Sequence, residues 1–346
     1  MKMQVYILML LSTCLLLGSC QKELSGEFTA YPNNPLNDTI WTATQKPTDG
    51  VNSIISDLMP PVEVASVDLS LPTNEIKIGG SDSCRLYFDK GIFVTIENGV
   101  ITPVKPEGIA TIEMYRIRNI GEMIRCMRPS QANGLLTEFA GGFFIRILKD
   151  GKELSLASRQ SYLVKWIEAG SDAKTDMRVY YSRESSPTPL YNVMDFNFEW
   201  KEDMMAGTNP IEIVEETLSN KKCKVYKMLL SNFRWVSAQR RVSANANTVR
   251  LTSFLPPNFT NKNTTVLAYF KKQKTVIKLD ADYSSRSFKT DLLPKGAEIT
   301  LVSISKIGSN YYYGEKDISS LDYGTITKIE PEKITLAKIQ ELLNNK

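Results

Sequence analysis

The side chains able to do chemistry in this 346-residue chain are carboxylates, lysines, thiols and phenols, because it contains no histidine. Without imidazole, Ser-His-Asp and Cys-His nucleophilic sites are excluded within the chain alone, as are HExxH-type zinc sites. Glycosidase chemistry needs two carboxyl groups held about 5–10 Å apart. Glu212, Glu215 and Glu216 are close in sequence, but on the helix suggested by Ile211, Val214 and Leu218 they form a solvated face. Asp280-Ala281-Asp282 lacks the further oxygen ligands that a calcium loop supplies at regular spacing, so it is assigned to a hairpin edge. Gly79-Gly80 and Gly141-Gly142 lack the helix start and downstream lysine of a phosphate-binding loop. No catalytic residue, metal ligand or cofactor is assigned, and a carboxylate-based hydrolase is kept as an alternative.

One thiol has a context suited to acyl chemistry. Lys2 precedes an apolar stretch from Val5 to Leu17, which ends in Leu17-Gly18-Ser19-Cys20. The stretch is shorter than the ~20 residues a spanning helix needs and fits a secretory signal. Its end resembles the lipobox of bacterial lipoproteins, which implies cleavage between Ser19 and Cys20, a diacylated Cys20 thiol and an acylated new amine. Membrane lipid is then a partner, because several acyl chains anchor stably where one is marginal. Lys22-Glu23 resembles the lipoprotein export signal of Bacteroidota, although Leu24 interrupts the acidic run. An outer-membrane, lipid-anchored protein facing outward is expected, in preference to a periplasm-facing one. Asp38-Thr39-Ile40 resembles the O-glycosylation sequon of the same bacteria, making Thr39 a candidate acceptor.

Apart from Cys14 and Cys20, the cysteines are Cys84, Cys126 and Cys223. They allow at most one disulfide, and Cys84–Cys126 is the one pairing inside a predicted domain. Their spacing fits no metal knuckle, and burial as small hydrophobes is the other reading. The balance of 42 basic to 38 acidic residues, a net +4, lacks the concentrated basic face of nucleic-acid binders. Aromatic rings offer a sharper hypothesis, since sugar C–H faces stack on them. Tyr311-Tyr312-Tyr313 beside a hairpin turn is a candidate ligand platform, while Trp166, Trp200 and Trp235 are expected in the core.

The elements that position these groups are mostly strands. Period-2 alternation begins at Val62, and Asn98-Gly99 and Asp150-Gly151 between apolar runs predict tight hairpins. Short strands separated by turns at intervals of roughly 8–12 residues suggest sandwiches. Leu336, Ile339, Leu342 and Leu343 predict a C-terminal amphipathic helix packed on the second domain. The expected organisation is a signal peptide (1–19), a tether (20–60) with a hint of helix from Val51 to Met59, and an N-terminal β-sandwich (61–205). A linker with a short helix (206–222) and a C-terminal β domain with its terminal helix (223–346) follow. The fold class is mainly β, with two tandem sandwich-like domains.

Three stretches carry a family resemblance: Gly134 to Ile145 with Asp150 to Leu154, Tyr226 to Trp235, and Leu293-Pro294-Lys295-Gly296 with the final helix. On these, residues 70–343 resemble uncharacterised Bacteroidota outer-membrane lipoproteins with a ZU5-like β-sandwich. Val236-Ser237-Ala238 stands where that group often has Asn-Cys-Asp. The resemblance implies a fold and an envelope address, without an activity. The function expected is binding or scaffolding at the envelope, with envelope proteins or glycans as partners. A glycan-binding accessory lipoprotein is an alternative, and an assembly subunit is favoured if an exposed apolar patch or unpaired edge strand exists.

Overall fold

In the computed structural model the described residues are 38–43, 49–78, 84–167, 173–182, 198–203, 211–218, 220–242 and 247–346. The tight hairpins form where the backbone can take positive φ. Asn98 (φ 50°) and Gly99 (φ 80°) turn Phe93–Glu97 into Val100–Pro103, and Asp150 (φ 51°) and Gly151 (φ 76°) turn Leu135–Lys149 into Lys152–Leu156. The fold is mainly β, in two sandwich-like halves with short helices, one of them C-terminal.

The first half faces a ten-stranded sheet against a five-stranded one. Leu135–Lys149 is central to the larger sheet, pairing with Ile109–Ile117 and with Arg234–Arg241. The smaller sheet runs Glu212–Leu218, Lys221–Leu230, Tyr162–Ile167, Cys84–Asp89 and Thr73–Lys77. Alternation along Ile109–Ile117 sends Ile112 and Met114 inward, where they meet Phe88, Phe143, Trp166 and Met228. Gly141 has a packing reason: a Cβ there would lie 2.7 Å from Cζ2 of Trp166.

The second half packs the Asp280–Asp282, Ser287–Pro294, Thr248–Phe254 and Thr325–Lys328 sheet on a five-stranded sheet. The latter contains Thr264–Phe270, Ile299–Ile307 and Asn310–Ile318. Leu251, Val266, Phe288 and Leu301 fill the interior, with Trp41 tilted against Phe288 at 5.2 Å between ring centroids.

Helices α1 (Asp49–Leu58), α2 (Ile120–Arg125) and α3 (Leu336–Asn344) contribute to a third core shared by the two halves. Ile54, Leu58, Ile124, Ile339 and Leu343 meet Phe144 and Trp235 of the first half and Leu267, Val302 and Ile304 of the second. The strands Thr264–Phe270 and Ile299–Ile307 therefore contribute to two cores and are almost continuously buried, as strands covered on both faces should be. Asn119 caps α2 by accepting from the Glu122 amide (2.8 Å), and Thr335 caps α3 by accepting from the Lys338 amide (3.2 Å).

Several expectations need correction. Residues 212–218 are a strand, not a linker helix, paired in register with Lys221–Leu230. Glu212 and Glu215 stand opposite Lys227 and Lys224 across a hairpin, and Lys227 reaches Glu212 (2.9 Å). Lys221–Leu230 and Arg234–Arg241 pair with strands of the first half, so the halves divide after Arg241 and not at 206–222. The expected tether ends earlier than residue 60. From Thr39 the chain belongs to the compact unit Thr39–Lys346, with Trp41 buried and α1 docked through Val51, Ile54, Ile55 and Leu58. Cys84 and Cys126 lie in different cores and are free thiols, as is Cys223. Helix α3 packs within the shared core, not on the second half alone. Residues 183–197 lie outside the described residues, and Trp200–Glu202 is a short strand.

Candidate functional site

The residues with the strongest sequence signal, Ser19, Cys20, Lys22 and Glu23, lie outside the described residues. Thr39 is exposed, ahead of the buried Trp41. Among the described residues, no helix is long and apolar enough to cross a membrane.

Tyr311-Tyr312-Tyr313 does not form an open platform. The strand sends Tyr311 and Tyr313 to the helical side, and none of the three is exposed. The Tyr311 hydroxyl donates to Asp57 Oδ2 (2.6 Å), where Lys306 Nζ also binds (2.7 Å), tying the second half to α1. Tyr313 is buried and donates to Glu315; burial, then that carboxylate, push its phenol well above the usual range. Tyr312 faces the other way and meets Phe259 edge-on at 5.2 Å. Trp41, Trp166, Trp200 and Trp235 are all buried, so no indole face is open for stacking on a sugar.

The acids also have structural partners. Glu216 binds Lys165 and lies 3.8 Å from Arg85. Asp282 accepts from Ser284, Ser285 and Lys289, which close the turn after its strand. Burial raises the Glu153 carboxyl, but Arg234 is bound to it at 2.8 Å. Asp176 and Glu202 share a hollow of about 300 Å³ with Arg178, Arg240 and Arg241. Glu202 accepts from Arg178 and Arg241, at 2.9 Å each. That is an ion-pair knot, whereas a hydrolytic pair needs one carboxyl free to hold a proton for the leaving group.

A surface feature that the sequence reading passed over is the Phe93–Pro103 hairpin. Its root is buried through Phe93 and Val94, while Ile96, Val100 and Ile101 are 53%, 64% and 64% exposed. Ile96 and Ile101 stand opposite each other across the ladder. Val100–Pro103 ends its sheet, with no further strand beside it among the described residues. Apolar side chains along an unpaired edge favour addition of another strand. The sequence signal was present in Ile96, Val100 and Ile101 on both sides of Asn98-Gly99, where a solvated hairpin would carry polar residues. Compared with known families and curated proteins, the chain matches no family model and no curated protein.

Proposed function

We propose that the chain is a lipid-anchored protein of the bacterial cell envelope that works by binding an envelope protein through the Phe93–Pro103 hairpin. Anchoring rests on Cys20 after Leu17-Gly18-Ser19, and an outward-facing outer-membrane position rests on Lys22-Glu23. Membership of the ZU5-like Bacteroidota lipoproteins is part of the same proposal, carried by the resemblance over residues 70–343. The observation that carries the binding role is the exposed Ile96/Ile101 pair beside an unpaired strand edge. A strand-adding partner would bond to the free backbone groups of Val100–Pro103 and cover those side chains.

The glycan-accessory alternative loses its support in stacking, because all four indoles are buried. The carboxylate-hydrolase alternative is disfavoured by the arginines that hold Glu202. A photoreactive side chain placed at Ile101 in living cells tests the docking role. It should give a cross-linked adduct of one discrete mass containing an envelope protein, while the same probe at Lys328 gives none. No adduct at Ile101, or the same adducts at both positions, would remove the docking role.

A further inference from the structure

Between the two halves lies a cleft of about 320 Å³ with four lysines in its lining, Lys174, Lys271, Lys272 and Lys274. Tyr226 and Glu138 line it too. The turn carrying three of these lysines is pinned to the first half. The Phe139 amide donates to the Lys274 carbonyl (2.9 Å), and Thr275 Oγ1 donates to the Thr137 carbonyl (3.0 Å). On the opposite wall, the Lys174 amide donates to the Tyr226 hydroxyl (2.6 Å). The backbone beneath the charges is therefore fixed before any ligand arrives, which lowers the ordering cost of binding.

Glu138 is held by Arg240 Nε (2.7 Å), so that carboxylate already has its own cation. Lys271 meets Asp317 (2.9 Å) and Lys272 meets Glu298 (2.6 Å), but both pairs are solvent-exposed. Exposed pairs of this kind contribute little and exchange readily for a better-placed anion. Lys174 is exposed. Arg240 also lines the hollow that holds Asp176, Arg178, Glu202 and Arg241.

We propose that this cleft binds a small sugar bearing sulfate or phosphate groups. The volume is at the lower end of ligand pockets, which run from about 300 to 1,000 Å³, and so suits one or two rings. Lysines on two walls of one cleft suit oxyanions on a sugar scaffold. The site lies away from the apolar hairpin and does not depend on docking there or on lipidation.

Titration calorimetry on the full chain in nonionic detergent tests it with three probes: a disulfated disaccharide, its bisphosphorylated counterpart and the unsubstituted parent. At least one anionic sugar should bind, about tenfold or more tightly than the parent, and weaken as salt rises. The tighter of the two identifies the oxyanion. Lys174→Glu with Lys272→Glu should weaken binding about tenfold with unchanged melting temperature. Lys328→Glu with Lys333→Glu makes the same change in net charge outside the cleft and should leave binding intact. No binding of either anionic sugar, equal binding of the parent, or an equal loss in the second double variant would overturn the proposal.

Discussion

Gly121→Ala should loosen the helical layer that joins the two halves. A Cβ on Gly121 would stand 2.6 Å from the Leu343 carbonyl carbon and 3.3 Å from its Cα, and closer still to the carbonyl oxygen. These are backbone atoms, so no side-chain rotation relieves the overlap. Restoring ordinary contacts of ~3.5–4.0 Å requires α3 to retreat from α2. Retreat opens the packing around Ile339 and Leu343, both fully buried, whose complete exposure would cost about 1.5–3 kcal/mol each. It also stretches the hydrogen bond from Arg125 Nη1 to Asn344 Oδ1, now 2.8 Å and worth about 1 kcal/mol. Losing about half of the apolar term and the hydrogen bond, less ~0.5–1 kcal/mol gained by alanine in a helix, leaves a net cost of about 2–3 kcal/mol. Urea unfolding measures it as a lower midpoint at unchanged slope. In a chain ending at Thr335, where the clash partner is gone, the same substitution should be neutral or stabilising. An equal cost in the shortened chain, or a change within about 0.5 kcal/mol in the full one, would refute the close approach.

Three further outcomes follow from named contacts. Burial raises the Asp57 carboxyl, but hydrogen bonds from Lys306 and Tyr311 outweigh it and hold the group below its ordinary value. Such a carboxylate stabilises the fold above its unfolded pKa, and that contribution is lost as pH falls through the folded value. Acid titration should therefore show the wild type losing stability below about pH 4 more steeply than Asp57→Asn, and equal acid sensitivity would count against the network. Burial pushes the Cys84 and Cys126 thiols up to about 12, so at neutral pH iodoacetamide should label Cys223 in the native body and all three after unfolding. Persistent protection of Cys84 and Cys126 in denaturant would instead mean a disulfide. The Arg128 guanidinium lies 4.0 Å from the centre of the Phe198 ring and 4.6 Å from that of Trp235. Arg128→Ala should cost about 2–4 kcal/mol in thermal or urea unfolding, and a loss under about 1 kcal/mol would mean the rings do not depend on it.

What the sequence made legible follows the range of the forces involved. Asn98-Gly99 and Asp150-Gly151 mark their turns because positive φ is a local requirement. The stripe of Leu336, Ile339 and Leu343 marks α3 for the same reason of short range, yet its surroundings in the shared core are set by distant chain. Ile211, Val214 and Leu218 mimic a helical face, but Glu212–Leu218 becomes an edge strand because Lys221–Leu230 offers it a complementary ladder. Lys227 and Lys224, which stand opposite Glu212 and Glu215, were the available signal for that hairpin. Residues 39–60 carry prolines and polar residues like a tether. The docking of Thr42 and of α1 depends on contacts invisible to local pattern, such as Thr42 with Asn261 (3.0 Å) and Ser53 with Lys306 (2.5 Å). The lysine cleft was likewise unreadable, since Lys271 to Lys274 alone is a polar turn and Lys174 joins it only in the fold.

The most direct measurement of lipid anchoring is the mass of the N-terminal peptide of the chain isolated from membranes. It should begin at Cys20 and carry acyl groups on both the thiol side and the amine, and Cys20→Ala should release the protein from the membrane fraction. A peptide that still contains residues before Cys20, or a Cys20→Ala variant that stays with membranes, would contradict it.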